Sequence, residues 1–235
     1  MSPQELESQI NTVIRSVEEA RRQAHRDLAK RSQLIAKLHE LAKLRIQQGE
    51  FSRAESLYRE ALECTKDRRK IDPGEVFNIH RLLGEFYDAW GKPAEAMDYY
   101  AKALEYGEDA QLQQSIGMAE LKARLGSICR ASGNTEHAVE YYEQAVEAFL
   151  SSVGENDIRL ASIYDELGTI SYQKMELDQA LKKHSKALSI YQQTHGKRDY
   201  SATYYHLNLV YRALGDFKRA FECIQSAEEI RNRVV

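Results

Sequence analysis

Hydrophobic positions along this chain recur at spacings of three and four, the period of a helix with one buried face. Leu6, Ile10, Val13, Val17, Ala20 and Ala24 form the first stripe, on a helix whose other positions are largely charged. Beyond it one short pattern returns five times: a Gly, an Ala, an aromatic four residues later and a second Ala seven residues after the first. It reads Gly49, Ala54, Tyr58 and Ala61; Gly91, Ala96, Tyr100 and Ala103; Gly133, Ala138, Tyr142 and Ala145. The fourth copy has Met175, Ala180, His184 and Ala187, and the fifth Gly215, Ala220, Ile224 and Ala227. The first Ala of each copy lies at 54, 96, 138, 180 and 220, so the period is 42, 42, 42 and then 40 residues.

Upstream of each turn lies a second helical stretch: Leu38 and Leu41; Leu83-Gly84 and Tyr87; Leu125-Gly126; Tyr164 and Leu167-Gly168; then Tyr204, Leu207 and Tyr211. The pattern predicts helix, short turn and helix in every copy, with very little strand. Ala at i and i+7 with an aromatic at i+4 share one face of the second helix. Gly84, Gly126 and Gly168 remove a side chain where the partner helix crosses, and the turn Gly supplies the left-handed residue that ends the first helix.

Leu-Gly, Tyr, Gly, Ala, Tyr and Ala in this order resemble the tetratricopeptide repeat, over about residues 34–235. The segment Ala187-Leu188-Ser189-Ile190-Tyr191, then His195-Gly196, then Tyr205-His206-Leu207-Asn208-Leu209 is similar to the 42-residue variety of kinesin light chains and related adaptors. The resemblance implies an all-α, right-handed superhelical solenoid of about five helix-turn-helix units with an N-terminal helix. The expected division is an N-terminal amphipathic capping helix over 1–33 and an array over 34–235, with units at about 34–72, 76–112, 118–154, 160–196 and 200–235.

Two readings stand for the first stripe: a cap packed on the first repeat, or a short coiled coil pairing two copies. The sequence permits one helix or two over 3–48, with a break expected near 25–33. The last helix, carrying Phe221, Ile224, Ala227 and Ile230, has no following repeat to cover it.

Composition narrows the function. Hydrophobic residues make up 43% of the 235, enough for a substantial core, and all three Pro precede residue 94. Basic residues number 33 against 36 acidic, spread along the chain with a net charge of −3, which gives no field for a phosphate backbone, so nucleic acid is not an expected partner. Cys64, Cys129 and Cys223 are widely separated and form no CxxC pair; they suggest neither a disulfide framework nor a zinc site and fit a reducing, cytoplasmic location. No secretory signal or apolar run of membrane-spanning length is read.

Chemistry is sparse. The seven histidines form no zinc-ligand spacing, and neither a GxSxG nor a Walker-type loop occurs. No enzyme activity, cofactor or metal is expected. In tetratricopeptide arrays the first helices line the concave face, and projecting them here gives Lys43, Asn78, Arg81, Arg124, Arg130, Tyr172 and Tyr205 as a groove for a peptide or helix of a partner protein. Arg forks suit carboxylates and carbonyls of such a ligand. The competing reading is that Glu85, Glu120 and Asp165 neutralise these arginines and leave only a solvated charged surface. The chain departs from the chaperone-tail clamp, since Lys43 has no matching Asn and Arg81 and Arg124 stand at the later positions. The expected function is a non-enzymatic interaction scaffold or adaptor; the alternative is an assembly protein that self-associates or docks through its terminal helices.

Overall fold

The computed structural model describes residues 2–24, 28–66, 72–194 and 200–234. Among them all regular structure is helical, in the order α1 (Pro3–Ala24), α2 (Leu28–Gln47), α3 (Phe51–Cys64), α4 (Pro73–Ala89), α5 (Pro93–Asp109), α6 (Ile116–Ala131), α7 (Thr135–Ser152), α8 (Ile158–Gln173), α9 (Leu177–Gln193), α10 (Ser201–Ala213) and α11 (Phe217–Val234). The chain forms two compact units, Met1–Leu112 and Gln113–Val235. The first holds α1 packed on the α2/α3 hairpin together with the α4/α5 hairpin; the second holds the hairpins α6/α7, α8/α9 and α10/α11.

Each hairpin turns by the same hydrogen bonds. The N–H two residues past the last helical turn reaches back to a carbonyl five residues earlier: Glu50 to Arg45, Lys92 to Tyr87, Asn134 to Cys129, Glu176 to Ser171 and Asp216 to Tyr211, all at 2.8–2.9 Å. This is the Schellman closure, and it needs a left-handed residue at its centre. Gly133 supplies one at φ 78° without strain, whereas in the fourth copy Met175 takes the same conformation at φ 61°. Polar residues begin several helices: the side chains of Asp72, Ser115, Asn134, Asp157 and Asp216 accept backbone N–H groups at the entries to α4, α6, α7, α8 and α11.

The repeated alanines are the floor of the core. Ala54, Ala96, Ala138, Ala180 and Ala220 are buried, as are Ala61, Ala103, Ala145, Ala187 and Ala227. Tyr58, Tyr100, Tyr142 and His184 follow them into the interior. A side chain at Gly126 would place its Cβ 2.8 Å from the Tyr142 ring, and one at Gly168 would stand 2.8 Å from His184, so these glycines are required by close approach. In the second unit Tyr142, Phe149, Leu160, Ile163, Leu167, Ile170 and Ile190 form one continuous cluster on that alanine floor.

The ends differ in character. Residues 3–24 and 28–47 form two helices rather than one; the chain reversal between them lies outside the described residues. Ile10, Val13 and Val17 are buried in the first unit, and Arg21 of α1 pairs with Glu60 of α3 at 2.6 Å. The first stripe is therefore covered by α2, with the Arg21 ion pair tying α1 to α3. On α11 the residues divide: Ala227 and Ile230 are buried and Ile224 is half-buried, but Phe217 and Phe221 are 70% and 62% exposed. Trp90 closes α4 by stacking on Phe51 of α3 at 5.7 Å, with Lys92 Nζ 3.4 Å above its ring. Tyr211 is half-buried beneath Arg219.

Candidate functional site

The second helix of each hairpin gives its inward side chains to the core, which leaves the first helices to present polar side chains outward. In the first unit Lys43 on α2 and Asn78 on α4 are exposed. Arg81, one turn beyond Asn78, is half-buried and its Nη1 donates to Glu85 Oε1 at 2.5 Å, an i,i+4 pair along α4. In the second unit Arg124 on α6 is exposed and has no carboxylate partner among the described residues. Arg130 is committed: its Nε lies 2.6 Å from Glu166 Oε2 on α8, an ion pair whose N–H is poorly aligned for a hydrogen bond. Tyr172 is half-buried near the end of α8, and Tyr205 on α10 accepts a hydrogen bond from Arg231 of α11 at 3.0 Å. Arg81 and Arg124 thus belong to different units, and the three arginines differ in how freely they meet solvent.

The carboxylates expected to neutralise them are divided as well. Glu85 holds Arg81, but Glu120 pairs with Arg159 at 2.7 Å rather than with Arg124 or Arg130. Arg159 also grips Asp157 through two nitrogens at 2.8 Å, and that contact keeps the Asp157 carboxyl below the usual range. Asp165 pairs with no arginine among the described residues.

Asp165 instead organises a cluster that no sequence motif announced. Its Oδ1 lies 2.8 Å from Nδ1 of His184 on α9, and its Oδ2 accepts the hydroxyl of Thr203 on α10 at 2.5 Å. His206, one turn further along α10, packs tilted against His184 with ring centroids 4.9 Å apart. Its Nδ1 is buried and has no hydrogen-bond partner among the described residues. Burial, and then the neighbouring His184, lower the pKa of His206, against an upward pull from Asp165, so the ring favours its neutral form. One ligand atom from each of Asp165, His184 and His206 lies within 4.8 Å of the others.

Separations of 19 and 22 residues hid these three from any ligand-spacing search. The repeat alignment carried the signal. His184 stands where Tyr58, Tyr100 and Tyr142 stand in the other copies, and Thr203, buried like them, stands where Ile79, Leu121 and Ile163 stand. The link from first to second helix has a counterpart in the first copy, where Nδ1 of His39 meets the Tyr58 hydroxyl at 3.1 Å, also 19 residues apart.

The model of the tetratricopeptide repeat family matches residues 75–151 and 159–233, and a second model of that family matches 38–71. The chain is a tetratricopeptide repeat protein. No curated protein matches it significantly. Among solved structures, this tetratricopeptide repeat protein is similar to BtubC (BKLC) from P. vanneervenii at 39% identity and a TM-score of 0.87, covering 97% of this chain and 91% of that one. It shares its fold with the nearly identical TPR-like repeats of a putative kinesin light chain from Podosopora anserina at 18% identity and a TM-score of 0.67, covering 84% and 94%. YrrB, described as a TPR protein with an unusual peptide-binding site, shares the fold at 21% identity and a TM-score of 0.58, covering 83% and 86%. Tetratricopeptide repeats are protein-interaction scaffolds, and no helix among the described residues is long and apolar enough to cross a membrane.

Proposed function

We propose that this protein is a non-enzymatic adaptor that receives a peptide or helix of a partner protein in the groove lined by its first helices, with Lys43, Asn78 and Arg81 as contact residues in the first unit and Arg124, Arg130, Tyr172 and Tyr205 in the second. The observation that carries the reading is Arg124: an exposed guanidinium on α6 with no carboxylate partner among the described residues, whereas Arg81 and Arg130 of the same set are paired. Such a group keeps its five donors for a ligand carboxylate or carbonyl, and binding it does not first break an internal ion pair. Arg81 and Arg130 contribute less, because each must leave Glu85 or Glu166 to bind. The peptide-binding site named for YrrB lends this the support of a shared fold only.

Affinity capture from the source cell tests the proposal. Partner recovery by the Arg124→Glu variant is expected to fall by about tenfold relative to wild type, the loss that follows when an attractive charge becomes repulsive at about 1.4 kcal/mol. Undiminished recovery with Arg124→Glu and with Arg124→Ala would exclude the surface.

The second reading, assembly through a terminal helix, rests on α11 alone, where Phe217 and Phe221 are exposed near the half-exposed Leu214. A cytoplasmic setting belongs to the same proposal and rests on the reduced cysteines, all three free.

A further inference from the structure

The cluster around Asp165 has features that neither a scaffold nor a plain helical core requires. At the positions of His184 and Thr203 the first three copies and copies two to four respectively bury Tyr58, Tyr100 and Tyr142, and Ile79, Leu121 and Ile163, none of which brings an imidazole or a carboxylate. Here the seam among α8, α9 and α10 holds a carboxylate, two imidazoles and a hydroxyl. His184 is 1% exposed and its Nε2 edge is pressed toward Gly168, so Nδ1 is the ring nitrogen turned to Asp165. Thr203 fixes the far oxygen of the same carboxylate, which leaves Oδ1 toward His184. His206 adds a buried ring nitrogen that no described residue satisfies, and burying such a group costs free energy unless something meets it.

We propose that Asp165, His184 and His206 form a binding site for one divalent transition-metal ion of the zinc type, held by a carboxylate oxygen and two imidazole nitrogens with a water completing the coordination. Two imidazole nitrogens and a carboxylate are donors that such an ion takes. Thr203 then serves as the outer partner that aims the carboxylate. On binding, the hydrogen that bridges His184 Nδ1 and Asp165 Oδ1 gives way to the ion, and the ring takes the tautomer with its hydrogen on Nε2. The separations are compatible with modest closure. With metal–ligand distances of about 2.1 Å, tetrahedral ligands sit about 3.4 Å apart. The 2.8 Å pair must open by roughly 0.6 Å for this arrangement. The atoms that now lie up to 4.8 Å apart must close by roughly 1.4 Å. The unbonded Nδ1 leaves the His206 ring free to make most of that movement. All three ligands lie in the second compact unit, bridging the fourth and fifth hairpins, so an occupied site would join two repeats.

The test uses the full chain, freed of metal with a chelator and titrated with Co²⁺ and then Zn²⁺. Wild type should take up one ion per chain, develop the visible absorption of Co²⁺ in a low-symmetry nitrogen and oxygen site, lose it to Zn²⁺ and melt at a higher temperature when loaded. His206→Ala should abolish this uptake. His184→Tyr, which restores the side chain of the other copies, should abolish it while keeping cooperative melting. Thr203→Val should weaken binding about tenfold, the loss typical of an outer partner, and His137→Ala, at an exposed histidine elsewhere, should leave it unchanged. No saturable uptake by wild type would overturn the proposal. So would equal uptake by wild type, His206→Ala and His184→Tyr, which would assign the ion to other groups.

Discussion

At the scale of single residues, the interior imposes conformations and charge states that the free side chains would not adopt. His39 illustrates the second. Burial, reinforced by the charges of Lys43 and Arg81, pushes its pKa down from 6.5 to about 4, so it is neutral in the fold. Between those values the unfolded chain binds a proton that the folded chain refuses, and stability rises with pH through that window. The contribution is full above about pH 6.5 and declines as pH falls toward 4. Urea midpoints measured from pH 7.5 to 4.5 should fall more steeply for wild type than for His39→Gln, which keeps a polar group near Tyr58 but does not titrate. Parallel curves would show that His39 carries no linkage. Met175 illustrates the first: it adopts φ 61° where the other four turns carry Gly, and its side chain is largely exposed. Met175→Gly should therefore raise stability by about 0.5–1 kcal/mol, the cost of a left-handed non-glycine residue less the extra chain entropy of glycine. A lower melting temperature for that variant would mean that the Met175 side chain contributes packing.

At the scale of elements, the hairpins were legible because their packing rule is local. Ala at i and i+7 with a large residue between them recurs unaltered, and Gly opposite the aromatic follows from the close approach of the two helices. Ala138 tests the rule. It is wholly buried against the first helix of its pair, and Ala138→Phe should cost about 1–3 kcal/mol by overpacking, read as a lower urea midpoint. Wild-type stability would mean that the helix faces are assigned wrongly. What the sequence did not disclose is equally physical. Surface charge pairs depend on which rotamers meet across helices, so the partners of Glu120 and Arg130 were not readable from spacing. The Asp165, His184 and His206 cluster joins three helices, and its residues became informative only when compared with their counterparts in the other copies. The stripe on α1 was legible as amphipathic, but whether α2 or a second copy covers it was decided by tertiary packing.

At the scale of the whole molecule, the two compact units carry different kinds of exposed surface. The first unit encloses its terminal stripe, while the second ends on the open phenylalanines of α11. If assembly through that helix occurs, light scattering of concentrated wild type should give more than the 27.0 kDa of one chain, and Phe221→Asp should return the single-chain mass. A single-chain mass for wild type at every concentration would leave the adaptor reading alone.

Because all five turns close through the same backbone bond, the junction between first and second helix carries no information about which hairpin it belongs to. A duplication or deletion whose two breakpoints fall at corresponding turns would recombine half-hairpins of matching geometry and require no new loop. The number of hairpins is therefore a quantity that gene rearrangement can change in whole steps, while the helices themselves remain under the constraint of their neighbours.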